Sequence, residues 1–314
     1  MDELMSSTGG FLTRRNVVES GLGTDSELAA AVCSGDLTRA WRGVYHAASD
    51  DPDGDDDDPI AAAYRRRVIG AAMSGGSERV VSHQSAAALH GLPLLGREES
   101  VHFTVDRKAG GQRRTAVIHA TPLTGQDVVE IRGLPVTSLA RTAVDVARSG
   151  TFTQAVCAMD GALALGVTVS ELTETVRRGS GRSGIDTARR ALLIADGDSE
   201  SVGESFSRVL MHGFADVPSP RLQHEFRTES GLFVARSDFD WEGWLVGEFD
   251  GRGKYERDLR PGESIADAVW REKRREDRLR DLGVIVVRWT WFELTHPRAL
   301  HALLSHGLRR AGLL

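Results

Sequence analysis

Residues 222–251, LQHEFRTESGLFVARSDFDWEGWLVGEFDG, hold three strand-like runs cut by two glycine turns. Leu222–Thr228, Leu232–Trp241 and Trp244–Phe249 are rich in aromatic and β-branched residues, and Ser230-Gly231 and Glu242-Gly243 interrupt them. Ser201-Val-Gly-Glu204 opens a helix upstream that runs to about His212. Downstream a long helix covers about Glu263–Leu282 and stops at Gly283. Val284–Arg288 is almost purely β-branched and reads as a buried central strand. The expected order is therefore α-β-β-β-α-β.

The acids in this segment fall on defined faces. Asp238 and Asp240 are two apart, so they leave one face of the second strand; Glu248 and Asp250 do the same on the third. Antiparallel neighbours would bring Asp238 close to Glu248, and two carboxylates there repel unless a cation separates them. Hard oxygen ligands suit Mg²⁺ or Mn²⁺, which can activate water against a phosphodiester. Asp238, Glu248 and Asp250 are the expected metal ligands. Lys254 is the expected charge stabiliser and Glu204 a peripheral ligand. Each has a plainer alternative: Glu204 as the partner of Ser201 in a capping box, Lys254 as an ion-pair partner of Glu248 or Asp250, Asp240 as a solvated strand residue. On the long helix Glu272 and Arg275/Glu276 interrupt the apolar positions Ile265, Ala268/Val269, Leu279 and Leu282, which points to a polar cavity. Lys273 beside them is a candidate phosphate contact, while Trp289 and Trp291 read as packing residues.

Working outward, residues 1–48 read as a helical unit ending in a hairpin. Thr13 caps a short helix that stops at Gly21, and Thr24 with Glu27 forms a capping box for Asp25–Ser34. Leu37–Trp41 and Val44–Ala47 flank Arg42-Gly43 as two strands. That is the order of a winged helix-turn-helix, and Arg14, Arg15, Arg39 and Arg42 are candidate DNA contacts. Protein contact is the alternative, because six acids share the same span. Residues 49–198 read as a mixed region, strands at Val101–Val105, Ala116–His119 and Val128–Ile131 preceding four helices between 138 and 195. Residues 199–314 form the third segment. The expected class is α+β and multidomain: an N-terminal winged helix-turn-helix, a mixed α/β middle and the αβββαβ core.

Composition limits the alternatives. The 314 residues are 40% hydrophobic and 27% charged, as in ordinary globular chains. The net charge of −6 owes much to seven aspartates within residues 50–58, so no strong global attraction to nucleic acid follows. Cys33 and Cys157 lack metal-ligand spacing and fit a reduced, cytoplasmic compartment; no apolar run is long enough for a membrane span. His83, His90, His102 and His119 lack paired metal-ligand spacing and read as ordinary polar or capping residues.

Two resemblances follow. The run Gln223…Asp238-Phe239…Val246-Gly-Glu248-Phe-Asp250-Gly251…Lys254, with Glu272-Lys273 and Asp277-Arg278-Leu279, resembles the DUF559 family, related to very-short-patch-repair endonucleases of the PD-(D/E)xK, restriction-endonuclease-like fold. The resemblance implies a metal-dependent endonuclease-like domain. Asp250 stands where that pattern usually has lysine, which leaves the lysine's role to Lys254 or Gln223. The rest of the chain resembles proteins with an AbiEi-type antitoxin winged helix. The carriers are Thr13-Arg14-Arg15, Trp41-Arg-Gly-Val-Tyr45, Ser82-His83-Gln-Ser-Ala-Ala-Ala-Leu-His-Gly91, and Leu134-Pro-Val-Thr-Ser-Leu-Ala-Arg-Thr142 with Asp145. This implies DNA as partner, a toxin as a second one, and an alternative in which a transcriptional regulator uses the nuclease-like domain as a non-catalytic scaffold.

Overall fold

The computed structural model describes residues 10–47, 58–76, 78–106, 110–113, 115–228, 230–251 and 264–314. They form a mixed α+β protein with three separate sheets. In chain order the elements are β1 (Phe11–Thr13), α1 (Arg14–Glu19), α2 (Asp25–Ser34), β2 (Leu37–Trp41), β3 (Val44–Ala47), α3 (Pro59–Met73), β4 (Val80–Val81), α4 (His83–His90), β5 (Val101–Val105), β6 (Gly111–Arg113), β7 (Ala116–Ala120), β8 (Val128–Ile131), β9 (Leu134–Thr137), α5 (Leu139–Ser149), α6 (Phe152–Ala164), α7 (Val169–Arg178) and α8 (Ile185–Ile194). Then follow α9 (Val202–His212), β10 (Arg221–Arg227), β11 (Phe233–Trp241), β12 (Leu245–Phe249), α10 (Ile265–Asp281), β13 (Ile285–Trp289), α11 (Trp291–Thr295) and α12 (Pro297–Arg310). None of these helices is long and apolar enough to cross a membrane.

The chain divides into two compact units, Met1–Ser149 with Ser170–Ser183, and Gly150–Val169 with Gly184–Leu314. The spans 1–48, 49–198 and 199–314 cut it differently. The first span and the strands of the second share one unit, and the helices of the second are divided. The reason lies in α6: its fully buried Asp160 accepts from Arg208 of α9 at 2.9 Å and from the Asp196 amide at 2.8 Å. Together with the packing of α6 on α8 and α9, that contact places α6 in the second unit.

In the first unit Thr13 Oγ1 accepts from the Asn16 amide to start α1, and the Thr24–Glu27 capping box starts α2 as expected. β1 adds a third strand beside the β2–β3 hairpin, in the order β1-β3-β2. Leu12, Val17, Leu28, Leu37 and Tyr45 close a small core beneath it. The six-stranded sheet runs β6-β7-β5-β4-β9-β8. Between β8 and β9, Arg132 and Gly133 both have positive φ, +52° and +73°, which is the two-residue primed turn that matches strand twist.

The second unit carries α9-β10-β11-β12-α10-β13 in the expected order, with the sheet ordered β10-β11-β12-β13. Phe239, Trp241, Leu245, Trp289, Leu300 and Leu304 build the core on one face, and Phe226, Val246, Leu279 and Val284 build it on the other. Trp289 is 1% exposed, and its Nε1 donates to Ser207 Oγ at 2.8 Å. Burying such a side chain contributes about 2–3 kcal/mol. Gly247 is required here: a Cβ at that position would meet the Trp289 ring at 2.5 Å. The last strand departs from expectation. β13 lies at the sheet edge, parallel to β12, because a crossover through α10 returns the chain alongside β12 in parallel. Its apolar run is explained by cover on both faces.

Candidate functional site

Two charged regions stand out, one in each unit. In the first unit a cleft of about 1050 Å³ opens between the small sheet and the β8–β9 turn. Arg14, Arg15 and Arg42 line it from the β1–α1 junction and the β2–β3 turn, and Arg132 lines it from the β8–β9 turn. Phe11, Val44, Ile69, Met73 and Leu134 form its apolar floor, and no acid is among its lining residues. Arg14 is forked onto Asp25 at 2.6 and 2.5 Å, and Arg15 pairs with Glu19 at 2.9 Å, all of them exposed. Arg42 has no ion pair among the described residues. Arg39 is separate from the cleft and lies over the Tyr45 ring, 5.7 Å from its centroid. The exposed side of α2 offers Asp25 and Glu27 and no base, so this helix would repel a phosphate backbone. Basic charge therefore gathers at the turns. Arg132 was missed in the sequence, although Ile131-Arg132-Gly133-Leu134 has the form of a hairpin turn.

The second region is at the sheet end where β11 meets β12. Phe239 faces Gly247 and Asp240 faces Val246; one further step of that antiparallel register sets Asp238 across from Glu248. Asp238, half-buried, accepts from the Phe249 amide at 2.9 Å. Glu248 is 2% exposed, and both its oxygens are engaged: Arg275 Nη2 donates to Oε1 at 2.6 Å and Arg288 Nε to Oε2 at 3.0 Å. Arg288 also pairs with Glu276. Of the interrupting charges of α10, Arg275 meets Glu248 and Glu276 meets Arg288 and Arg280, while the Glu272 side chain lies outside the described residues. Asp250 is half-buried, and its amide donates to the Trp289 carbonyl at 2.8 Å. Asp240 is fully buried, unlike the solvated residue considered above. It holds Arg221 of β10 and accepts from the Gly243 amide at 2.9 Å, which clamps the hairpin.

Glu204 is buried on α9. Ser201 Oγ donates to it at 2.7 Å, the Glu200 amide at 3.0 Å and Gln223 Nε2 at 3.0 Å. Burial pushes its carboxyl above the usual range despite these donors. Gln223 has φ +49°, a left-handed kink that turns its amide towards Glu204. Lys254 lies outside the described residues. Lys273 is exposed, with Nζ 5.5 Å from the centroid of the exposed Trp270 ring.

As arranged, these residues do not fit a divalent cation. Guanidinium groups already occupy both oxygens of Glu248, and among the described residues no group of three or more His, Cys, Asp or Glu could hold a metal ion. The positive charge that balances Glu248 here comes from Arg275 and Arg288.

No family model matches the chain. Two Mycobacterium tuberculosis proteins, uncharacterized protein Rv2248 and uncharacterized protein MT2308, are each 30% identical over 268 residues, covering 84% of this chain and 89% of theirs. The crystal structure of RV2827C protein from Mycobacterium tuberculosis aligns over 73% of this chain and 89% of that one, at 14% identity and a TM-score of 0.36.

Proposed function

We propose, for a chain that belongs to the same family as the mycobacterial protein Rv2248, that it is a DNA-binding regulator whose second unit is a nuclease-type framework without catalysis. The observation that carries this reading is the acid-free cleft with Arg14, Arg15, Arg42 and Arg132 at its rim. Guanidinium groups spaced along a groove neutralise successive phosphates and release counterions. The order β1-α1-α2-β2-β3 supports a winged helix-turn-helix that grips the backbone by its wing side. The resemblance to AbiEi-type antitoxins supports the regulatory role and a toxin as partner. In the second unit, α9-β10-β11-β12-α10-β13 with Asp238 and Glu248 supports a PD-(D/E)xK-like, DUF559-type framework. The two arginines on Glu248 favour a structural duty for it.

Fluorescence anisotropy with duplex DNA across a salt series tests the binding. Arg42→Glu with Arg132→Glu should weaken affinity at least tenfold, and the slope of log affinity against log salt should flatten by about two phosphates. Unchanged affinity would remove the cleft from DNA binding.

A second reading, a Mg²⁺-dependent endonuclease, is favoured by Glu204, which Gln223 links to the strand that runs beside Asp238. It requires Mg²⁺- or Mn²⁺-dependent nicking of plasmid DNA that Asp238→Asn abolishes.

A further inference from the structure

A second cationic cluster lies in the first unit, on α5 and the turn after α7. Arg141 is 3% exposed. Its Nε donates to Asp145 at 2.7 Å, and its Nη1 is 3.4 Å from Asp127. Its Nη2 is buried and reaches no hydrogen-bond partner among the described residues. The remaining oxygens of the two aspartates are taken as well: Arg148 Nη1 reaches Asp145 at 2.9 Å and Arg178 Nη2 reaches Asp127 at 3.1 Å.

Arg182 then adds a fourth guanidinium. Its amide closes a turn onto the Gly179 carbonyl at 3.1 Å, and Arg148 Nε donates to the neighbouring Ser183 carbonyl at 3.1 Å, which fixes that turn against α5. Arg182 is half-buried and has no ion-pair partner among the described residues. Burial, then the positive charge of Arg141, push its pKa below the ordinary guanidinium value. The positive field reaches further: besides burial and neighbouring imidazoles, Arg148 and Arg141 both depress His83. Three arginines thus pair with two aspartates and a fourth stands beside them; among the described residues one Arg141 N–H group and the Arg182 guanidinium have no acceptor. Uncompensated charge away from water is unfavourable unless a counterion supplies the balance.

We propose that this cluster is a binding site for a phosphate dianion, either free or as the terminal group of a phosphate monoester. The charge matches, since a dianion neutralises the surplus of two. The geometry also matches, because guanidinium forks present paired N–H donors to tetrahedral oxyanions. Arg182 supplies the accessible fork and Arg141 Nη2 the inner donor. The site is separate from the DNA cleft, which Arg132 rather than Arg141 lines.

Thermal melting and titration calorimetry of the full chain test the proposal with inorganic phosphate, adenosine monophosphate, and chloride at matched ionic strength. Phosphate should raise the melting temperature saturably, because a ligand of the native state alone stabilises it. Arg182→Gln, which breaks no ion pair, should weaken phosphate binding at least tenfold, and Arg182→Lys should restore part of it. Arg42→Glu with Arg132→Glu should leave it unchanged. Binding of adenosine monophosphate as tight as phosphate would support the monoester; binding of phosphate alone would support the free ion. An equal response to chloride, an equal response in Arg182→Gln, or loss of the response in the Arg42/Arg132 variant would overturn the site.

Discussion

The arginines of the basic cleft and the arginines around Glu248 are the same chemical group in opposite surroundings. At the cleft Arg42 and Arg132 stand exposed on turns, and Arg14 and Arg15 pair with Asp25 and Glu19 at the surface. Around Glu248, the side chains of Arg275 and Arg288 are 23% and 32% exposed and converge on its buried carboxylate. Exposed pairs contribute little to stability and leave charge available to a partner. Buried pairs have their charge consumed inside the fold, and removing one member strands the other. Between these two regions burial, more than residue type, separates arginines that stay exposed from arginines held in an ion-pair network.

The largest expected effect breaks the buried side of that contrast. Glu248→Ala leaves two guanidinium groups facing each other and should destabilise the second unit by about 3 kcal/mol, read by denaturant unfolding with tryptophan fluorescence. A variant as stable as the parent, or more so, would show strained carboxylates awaiting a cation and would return the endonuclease reading to first place.

A smaller effect separates the units by pH. Burial holds His119 down to about 4 and lowers His102 and His83 as well. A histidine whose folded pKa lies below its unfolded value contributes stability above about pH 6.5 that is lost as pH falls towards 4. For Glu204 burial raises the folded pKa, so its term has the opposite trend: acid favours the native state there. The first unit should therefore lose protection from amide exchange between pH 6.5 and 4 before the second does. His119→Gln should flatten the first unit's dependence by about 2 kcal/mol, discounted for the ring's remaining solvent contact. Equal loss in both units would remove the distinction.

The smallest effect sharpens the exposed side. Arg42→Glu with Arg132→Glu should change thermal stability by less than about 0.5 kcal/mol while DNA affinity collapses. A large stability loss would mean that the cleft arginines are structural after all.

Much of the local structure was legible in residue order. The Thr24–Glu27 box, Arg42-Gly43 and the αβββαβ order depend on spacing over a few residues, where capping, turn chemistry and period two act directly. Asp238 and Glu248 were found as strand neighbours because one register and one pleat place them. The meaning of Glu248 was not legible, since its partners Arg275 and Arg288 lie 27 and 40 residues away. Arg132 and Arg42 line one cleft because two sheets belong to one unit, and α6 joins the second unit because it packs on α8 and α9, where Asp160 finds Arg208. The amino-acid sequence by itself determined the elements, their caps and the faces on which charges emerge. Tertiary structure alone decided which charges are buried against each other and which stay exposed, because ion pairing and desolvation depend on distances between segments that local periodicity does not encode.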